Sequence, residues 1–478
     1  MKTVRLYDSL SRSIRVFTPL GAGPVGIYSC GPTVYARQHL GNLRPYVFAD
    51  LLRRTLESAG HTVRHVINIT DVGHLTSDAD DGADKVELAA ARARTSALAI
   101  TEHYTQLFQT DLERMGTLPP EHWAKASAHV PEQIALIEQL AQRGFTYITS
   151  DGVYFDTARA PHYGELSGLR ASARHSRVRV DSGKRNAADF ALWKFSPETG
   201  PRRQLEWQSP WGVGFPGWHI ECSAMASKYL GTQFDIHTGG VDHVAVHHSN
   251  EIVQAEHAFG VRPWVQYWMH GAWLTLDGAK IAKSAGNAPD LDDLIAAGVS
   301  AAAYRYYLMT AHYRAPLDLS LEGLHAASTA YARLAGFVAR HHGESAAPNL
   351  AASDEWRALF FAALYDDLDA PRALSVLWSI FADTSLSTAL RGELIAQLGE
   401  VIGLPLTRAD TRTTELAPEI AGLVEQREKA RAARDFARAD ELRHELLAHG
   451  VLVEDSPGGP VTRRAPRAHP TSPERERV

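Results

Sequence analysis

The chain has 478 residues, of which 45% are hydrophobic and 22% charged, with a formal net charge of −6; this is a globular composition of roughly two to four domains. No apolar run reaches the roughly 18–20 residues of a membrane helix, and the start, MKTVRLYDSL, lacks the apolar core of a signal peptide, so a cytoplasmic protein with no membrane partner is expected. The acidic balance excludes nucleic-acid binding through a whole-molecule positive field, and only two cysteines, Cys30 and Cys222, exclude a disulfide scaffold and fit a reducing compartment.

In chain order, Val25–Ser29 reads as a short apolar strand followed by a Gly/Pro-containing loop. From Gly41, the spacing of Val47, Phe48, Leu51, Leu52 and Leu56 predicts a helix ending near Gly60, and Val63–Ile69 predicts a second strand. Strand, helix and strand make a βαβ unit, which implies a parallel sheet. One long helical stretch is expected over Ala79–Met115, and an insertion between Pro119-Pro120 and Asp181–Ala188. The sheet resumes with Phe234–His237 and Trp268–Leu276. Beyond about residue 320, alanine and leucine at helical spacing run to Leu404, with an inter-helix linker at Ala346–Ser353 and a break at Pro405–Ala417. A helical hairpin over Glu419–Ala448, a strand at Val451–Val453 and a disordered tail from Ala465 complete the expectation.

Two segments suit phosphate chemistry. His39-Leu-Gly-Asn42 lies between the first strand and first helix, where Gly41 lets the backbone approach a phosphate and the helix N-terminus offers N–H donors. Taken alone, it is also an ordinary strand-to-helix turn. Lys280-Ile-Ala-Lys-Ser284 sets Lys280 and Lys283 three residues apart, able to bring two mobile cations to a triphosphate; a lone pair of this kind reads more readily as a solvated loop. A metal set is also available in Cys30, Cys222, His247 and Glu251, the last two spaced to share one helix face. By spacing alone, with no C-x-x-C, both cysteines read more readily as buried apolar side chains, and His237, His243 and His248 are rival ligands.

The paired H-[IL]-G-[HN] and lysine-loop motifs resemble the signatures of class I aminoacyl-tRNA synthetases, the second departing from K-M-S-K-S as K-I-A-K-S. Within that class the chain resembles cysteinyl-tRNA synthetases. The resemblance rests on Tyr28–Tyr35, Asn68–Asp71, Asp189–Lys194, Ser209–Ser223, His247–Glu251, His312–Arg314, Asp366–Leu374 and the C-terminal hairpin, nearly the whole chain. It departs at Ser249, at Ala245-Val246, over Asp71–Leu75, and at Thr462, where the family commonly has an aromatic before two arginines.

That resemblance implies an α/β fold. A Rossmann-like parallel-sheet catalytic domain would span 1–320, with an insertion at about 120–210 and a stem-contact region at about 280–320. An all-α helical bundle over 321–405, a small α+β anticodon-recognition region over 415–464 and the tail 465–478 would follow. It implies activation of L-cysteine with ATP and Mg²⁺ to an adenylate, then transfer to tRNA(Cys) by a monomer. The inferred zinc ligands, one ion per chain, are Cys30, Cys222, His247 and Glu251. His39, Gly41, Asn42, Lys280 and Lys283 would serve ATP, with His39, Asn42 and both lysines catalytic, and Thr70, Trp218 and Asp242 would contact substrate. Within Glu425–Ala448, the motif Ala430–Asp440 resembles the family's anticodon-recognition region. Two other readings are a related ligase joining cysteine to an amino-sugar, and a non-catalytic paralogue that binds nucleotide or RNA.

Overall fold

The computed structural model describes residues 1–72, 75, 84–168, 183–197, 203–276, 278–281, 288–343, 350–407, 418–433, 435–449, 451–456 and 459–464. A hairpin of β1 (Arg5–Asp8) and β2 (Ser13–Val16) leads into β3 (Val25–Ser29), α1 (Leu40–Ser58) and β4 (Val63–Ile69). Next come α2 (Lys85–Ala93), α3 (Ala97–Arg114), β5 (His122–Lys125) and α4 (Val130–Gln142). The strands β6 (Thr146–Ile148), β7 (Gly152–Phe155), β8 (Phe190–Phe195) and β9 (Gly214–Pro216) form a separate four-stranded antiparallel sheet inserted ahead of α5 (Trp218–Leu230). The main sheet then regains β10 (Phe234–Gly240), followed by α6 (His247–Phe259) and β11 (Val265–Gly271).

The main sheet has five strands, all parallel, in the order β11-β10-β3-β4-β5. Every residue of β3 and β10 is buried, as expected for parallel strands covered on both faces. Alternate residues serve the two sides. Ile27, Ile67 and Ile236 pack with α1 into a core that runs on into the later helices, whereas Tyr28, Val66 and Trp268 pack with Cys222 and Met225 of α5. The chain leaves β3 toward β4 on one side and returns to β10 on the other. The gap beyond the ends of β3 and β10 is therefore the topological switch point, where such sheets open a crevice.

The long helix expected over Ala79–Met115 is two helices. Arg94 takes a left-handed conformation (φ 52°) that ends α2, and the Ser96 side chain caps α3 by accepting from the Ala99 N–H. The strand expected over Trp268–Leu276 also divides, because the chain turns at Ala272-Trp273 before β12 (Leu274–Leu276). β12 joins β13 (Ala279–Lys280) and, after α7 (Leu291–Ala296) and α8 (Ala301–Met309), β14 (Leu317–Leu319) in a small mixed sheet. The all-α part comprises α9 (Leu321–His341), α10 (Leu350–Leu364), α11 (Ala370–Ala382) and α12 (Thr388–Val401); the expected linker at Ala346–Ser353 is shortened by α10, and its first part lies outside the described residues. The last unit pairs α13 (Pro418–Ala432) with α14 (Phe436–Ala448) and adds β15 (Val451–Ser456) and β16 (Gly459–Arg464), so Thr462–Arg464 sits in a strand opposite Val451–Val453. The tail from Ala465 lies outside the described residues.

Candidate functional site

Cys30 follows β3 directly, and its N–H donates to the Thr238 carbonyl of β10 at 3.1 Å, which fixes the residue at the switch point. Gly31 must follow it, since a Cβ there would fall 1.5 Å from the Asn68 carbonyl oxygen. Cys222 comes up from the buried face of α5, and His247 and Glu251 from the first turns of α6, one turn apart. All four are buried, and their ligand atoms lie within 4.8 Å of one another. His247 Nε2 stands 3.0 Å from Glu251 Oε1, and His247 Nδ1 lies 2.9 Å from His219 Nδ1, so His219 sets the ring and leaves Nε2 toward the cluster. Trp218 stacks on His247 at 4.2 Å between centroids.

A second set, Cys30, His237, His248 and Glu251, also converges within 4.8 Å and shares two members with the first. Its imidazoles are engaged as His247 is. His237 Nε2 lies 2.9 Å from Glu251 Oε2, and His248 bridges Cys30 Sγ at 3.2 Å and His270 Nε2 at 2.8 Å. Of the first set, Cys30, Cys222 and His247 line a cavity of about 760 Å³, whereas only Cys30 of the second does. An ion held by the first set would face a ligand entering from the cavity.

The electrostatics favour the anionic forms of Cys222 and Glu251 in the first set. Burial opposes ionisation of Cys222, but the Cys30 thiol as hydrogen-bond donor and the charge of His247 hold it down at about 6. Cys30 is pushed well up by burial and by Cys222. Burial disfavours the His247 cation, yet Glu251 and Cys222 raise it to about 10. Glu251, also opposed by burial, is held far below the usual carboxylate range by His237 and His247. Two thiols, an imidazole and a carboxylate in a tight buried group are a donor set that fits zinc.

The same cavity reaches the N-terminus of α1. His39 caps that helix: its Nδ1 accepts from the Asn42 N–H at 3.3 Å, and Asn42 Oδ1 accepts from the His39 N–H at 3.3 Å. The first turn of α1 carries no acidic residue, which leaves its positive end available to an anion. A Cβ on Gly41 would meet the His39 ring at 3.1 Å and Ile281 Cδ1 at 3.7 Å, so the lysine-bearing segment approaches the helix start here. His39, Gly41, Asn42, Thr70, Trp218 and Asp242 all line the cavity. The Lys280 backbone pairs with Thr275, and Lys283 lies outside the described residues. Sequence reasoning missed the roles of His219 and His237 beside the ligand set. His219 lies three residues before Cys222 in the Gly217–Ser223 motif, and His237 was weighed only as a rival ligand.

A Mycobacterium tuberculosis methionyl-tRNA synthetase in complex with methionyl-adenylate has this fold at a TM-score of 0.53 and 15% identity, covering 80% of this chain and 89% of its own. An Agrobacterium radiobacter LeuRS in a ternary complex gives 0.57 at 11% identity, with 82% and 85% covered. The model described as tRNA synthetases class I (C) catalytic domain matches residues 16–329, and the switch-point cavity lies in that span, so the chain is a class I aminoacyl-tRNA synthetase, ATP-dependent and with tRNA as its partner. The cysteinyl-tRNA ligase anticodon binding domain matches residues 413–461. A cysteine–tRNA ligase of Burkholderia lata is 49% identical over 456 residues, 95% of each chain, and this chain belongs to the cysteine–tRNA ligase family. No helix among the described residues is long and apolar enough to cross a membrane.

Proposed function

We propose that the switch-point cavity binds ATP at the α1 N-terminus and L-cysteine at the Cys30, Cys222, His247 and Glu251 cluster, forming cysteinyl-adenylate for transfer to tRNA(Cys). The observation that carries this reading is the shared cavity. His39, Gly41 and Asn42 line one part of it, and Cys30, Cys222 and His247 another. The cysteine carboxylate attacks the α-phosphorus and pyrophosphate leaves. His39 and Asn42 release their mutual caps to donate to phosphoryl oxygens, while Lys280 and Lys283, with Mg²⁺, hold the departing pyrophosphate. Thr70, Trp218 and Asp242 bound the space for the amino acid.

Zinc on the cluster would supply a Lewis-acidic seat that favours an ionised thiol over an alcohol. Shape alone separates near-isosteric substrates by only about 1–3 kcal/mol, whereas a 10⁴-fold preference needs about 5.5. Rejection of serine therefore belongs to the cluster. The reading includes a catalytic unit over 1–320 with an insertion at about 120–210, a bundle over 321–405 and an anticodon unit over 415–464, in a cytoplasmic monomer. The match over 413–461 supports tRNA, not an amino-sugar, as acceptor.

The test is ATP–pyrophosphate exchange with cysteine and with serine, together with zinc content by elemental analysis. Exchange with cysteine alone and about one zinc per chain are expected. No exchange from a zinc-loaded protein would overturn the reading in favour of a non-catalytic paralogue.

A further inference from the structure

The turn between β11 and β12 presents Trp273 with 48% of its surface exposed, although it lines the same cavity as the α1 N-terminus. Its backbone is held from several sides. Arg44, a buried residue of α1, donates from Nη1 to the carbonyls of Ala272 at 2.9 Å and Trp273 at 2.6 Å, and from Nη2 to Ala315 at 2.7 Å. The Leu317 N–H donates to the Trp273 carbonyl at 3.2 Å, and the Ala272 N–H to the Tyr313 carbonyl at 2.8 Å. These bonds fix the backbone that carries the indole relative to the helix that offers phosphate-binding N–H groups, because Arg44 belongs to that helix.

The surroundings divide by chemistry. Trp218 is committed to His247 by stacking at 4.2 Å, which places it at the thiol end. Around Trp273 the lining is Pro45, Gly271, Leu274 and Ile281, apolar or without a side chain, while His39 and Asn42 face the helix start. Gly271 adds no side chain to that wall, and a Cβ there would stand in ordinary contact with Phe48 at 3.6 Å and Pro45 Cα at 3.9 Å. A flat, neutral, hydrogen-bonding ring attached to phosphate is the ligand such a wall accepts, with stacking on the indole as the main attraction.

We infer that Trp273 is the stacking platform for an adenine ring in this cavity, held in register with the phosphate-binding end of α1 by the Arg44 hydrogen bonds. Two adenines enter the proposed reaction, that of ATP and the terminal adenosine of tRNA. The inference rests on the proposed ATP site and names the residue that takes the base.

The test uses the full-length zinc-loaded protein and its Trp273→Ala and Trp273→Phe variants, checked for wild-type zinc content and melting temperature. Equilibrium dialysis measures ATP and, separately, inorganic tripolyphosphate, so that base and phosphate binding are read apart without catalysis. Trp273→Ala is expected to weaken ATP about tenfold or more and to leave tripolyphosphate unchanged, with Phe restoring most of the loss. In pyrophosphate exchange the KM for ATP rises in parallel, and the KM for cysteine does not. If ATP binding is unchanged but transfer from preformed adenylate to tRNA requires about tenfold more tRNA, the platform serves the terminal adenosine. Equal behaviour of Ala and wild type in all assays overturns the inference, as does equal loss of ATP and tripolyphosphate. Wild-type protein that binds ATP normally but shows no exchange would instead count against the proposed function. Should the Ala variant not fold, Trp273→Leu carries the same comparison with Phe.

Discussion

His237 Nε2 lies 2.9 Å from Glu251 Oε2, and neither side chain has any exposure to solvent. Glu251 is thus occupied on one oxygen from β10, while its other oxygen faces His247 and Cys30. A ligand carboxylate held by a neighbouring imidazole cannot rotate freely, and losing such a partner commonly costs a metal site 10–100-fold in affinity. His237→Ala is therefore expected to weaken zinc retention by about that factor. Competition with a chromophoric chelator measures it, and an unchanged affinity would show that His237 serves packing alone.

Gly31 makes a more severe demand. Its N–H donates to Asn68 Oδ1 at 2.6 Å, and the position of a Cβ coincides with the Asn68 carbonyl at 1.5 Å. No side-chain rotation relieves a backbone clash, so Gly31→Ala must displace the β3 end and, with it, Cys30. The expected outcome is a stability loss of about 2–4 kcal/mol together with zinc content below the wild-type level. Wild-type zinc content and melting temperature in this variant would disprove the close approach.

The contrast between these two residues shows how much the sequence could tell. The four-residue cluster was legible because Cys30, Cys222, His247 and Glu251 lie in segments resembling those of a known family, and the β3–α1–β4 unit because apolar periodicity marks it. The His237–Glu251 contact depends on the register between β10 and α6, which no local pattern encodes. The break at Arg94 was missed because alanine-rich sequence runs through it at helical spacing; a single left-handed residue and the Ser96 cap decide it. The Trp268–Leu276 apolar run concealed a turn at Ala272-Trp273 for a similar reason, since its carbonyls are satisfied by Arg44, 228 and 229 positions earlier in the chain.

A buried ion pair ties α8 to α1. Arg305 of α8 and Asp50 of α1 are 0% and 3% exposed, and Arg305 also donates to the carbonyls of Met115 at 3.3 Å and Ile402 at 2.8 Å, where α3 and α12 end. A cation at two helix C-termini satisfies carbonyls that have no partner within their helices. Arg305→Met removes it and leaves the Asp50 charge with Arg54 as its remaining ionic partner. Breaking one side of a buried pair costs about 3–5 kcal/mol, and denaturant unfolding of the variant is expected to show a loss of that size. A loss below about 1 kcal/mol, the value of a surface pair, would contradict the burial.

His65 supplies a pH dependence whose sign is fixed. The ring is buried on β4, with Nε2 2.8 Å from Ser29 Oγ and Nδ1 without a hydrogen-bond partner among the described residues. Burial, reinforced by the charge of Arg53, lowers its pKa to about 3. Between about 3 and the unfolded value near 6.5, the unfolded chain binds a proton that the folded chain refuses. The folded state therefore keeps its full stability above about pH 6.5 and loses it as pH falls, by up to about 1.4 kcal/mol per unit for this one group. From pH 7 to pH 5 the loss integrates to roughly 2 kcal/mol. His65→Gln removes the titrating group, so the difference in unfolding free energy between pH 7 and pH 5 should shrink by that amount relative to wild type. The other titrating groups, including those of the cysteine cluster, are common to both proteins and cancel in the comparison. Identical pH dependence in the two would mean that His65 takes up its proton in the folded state as readily as in the unfolded chain.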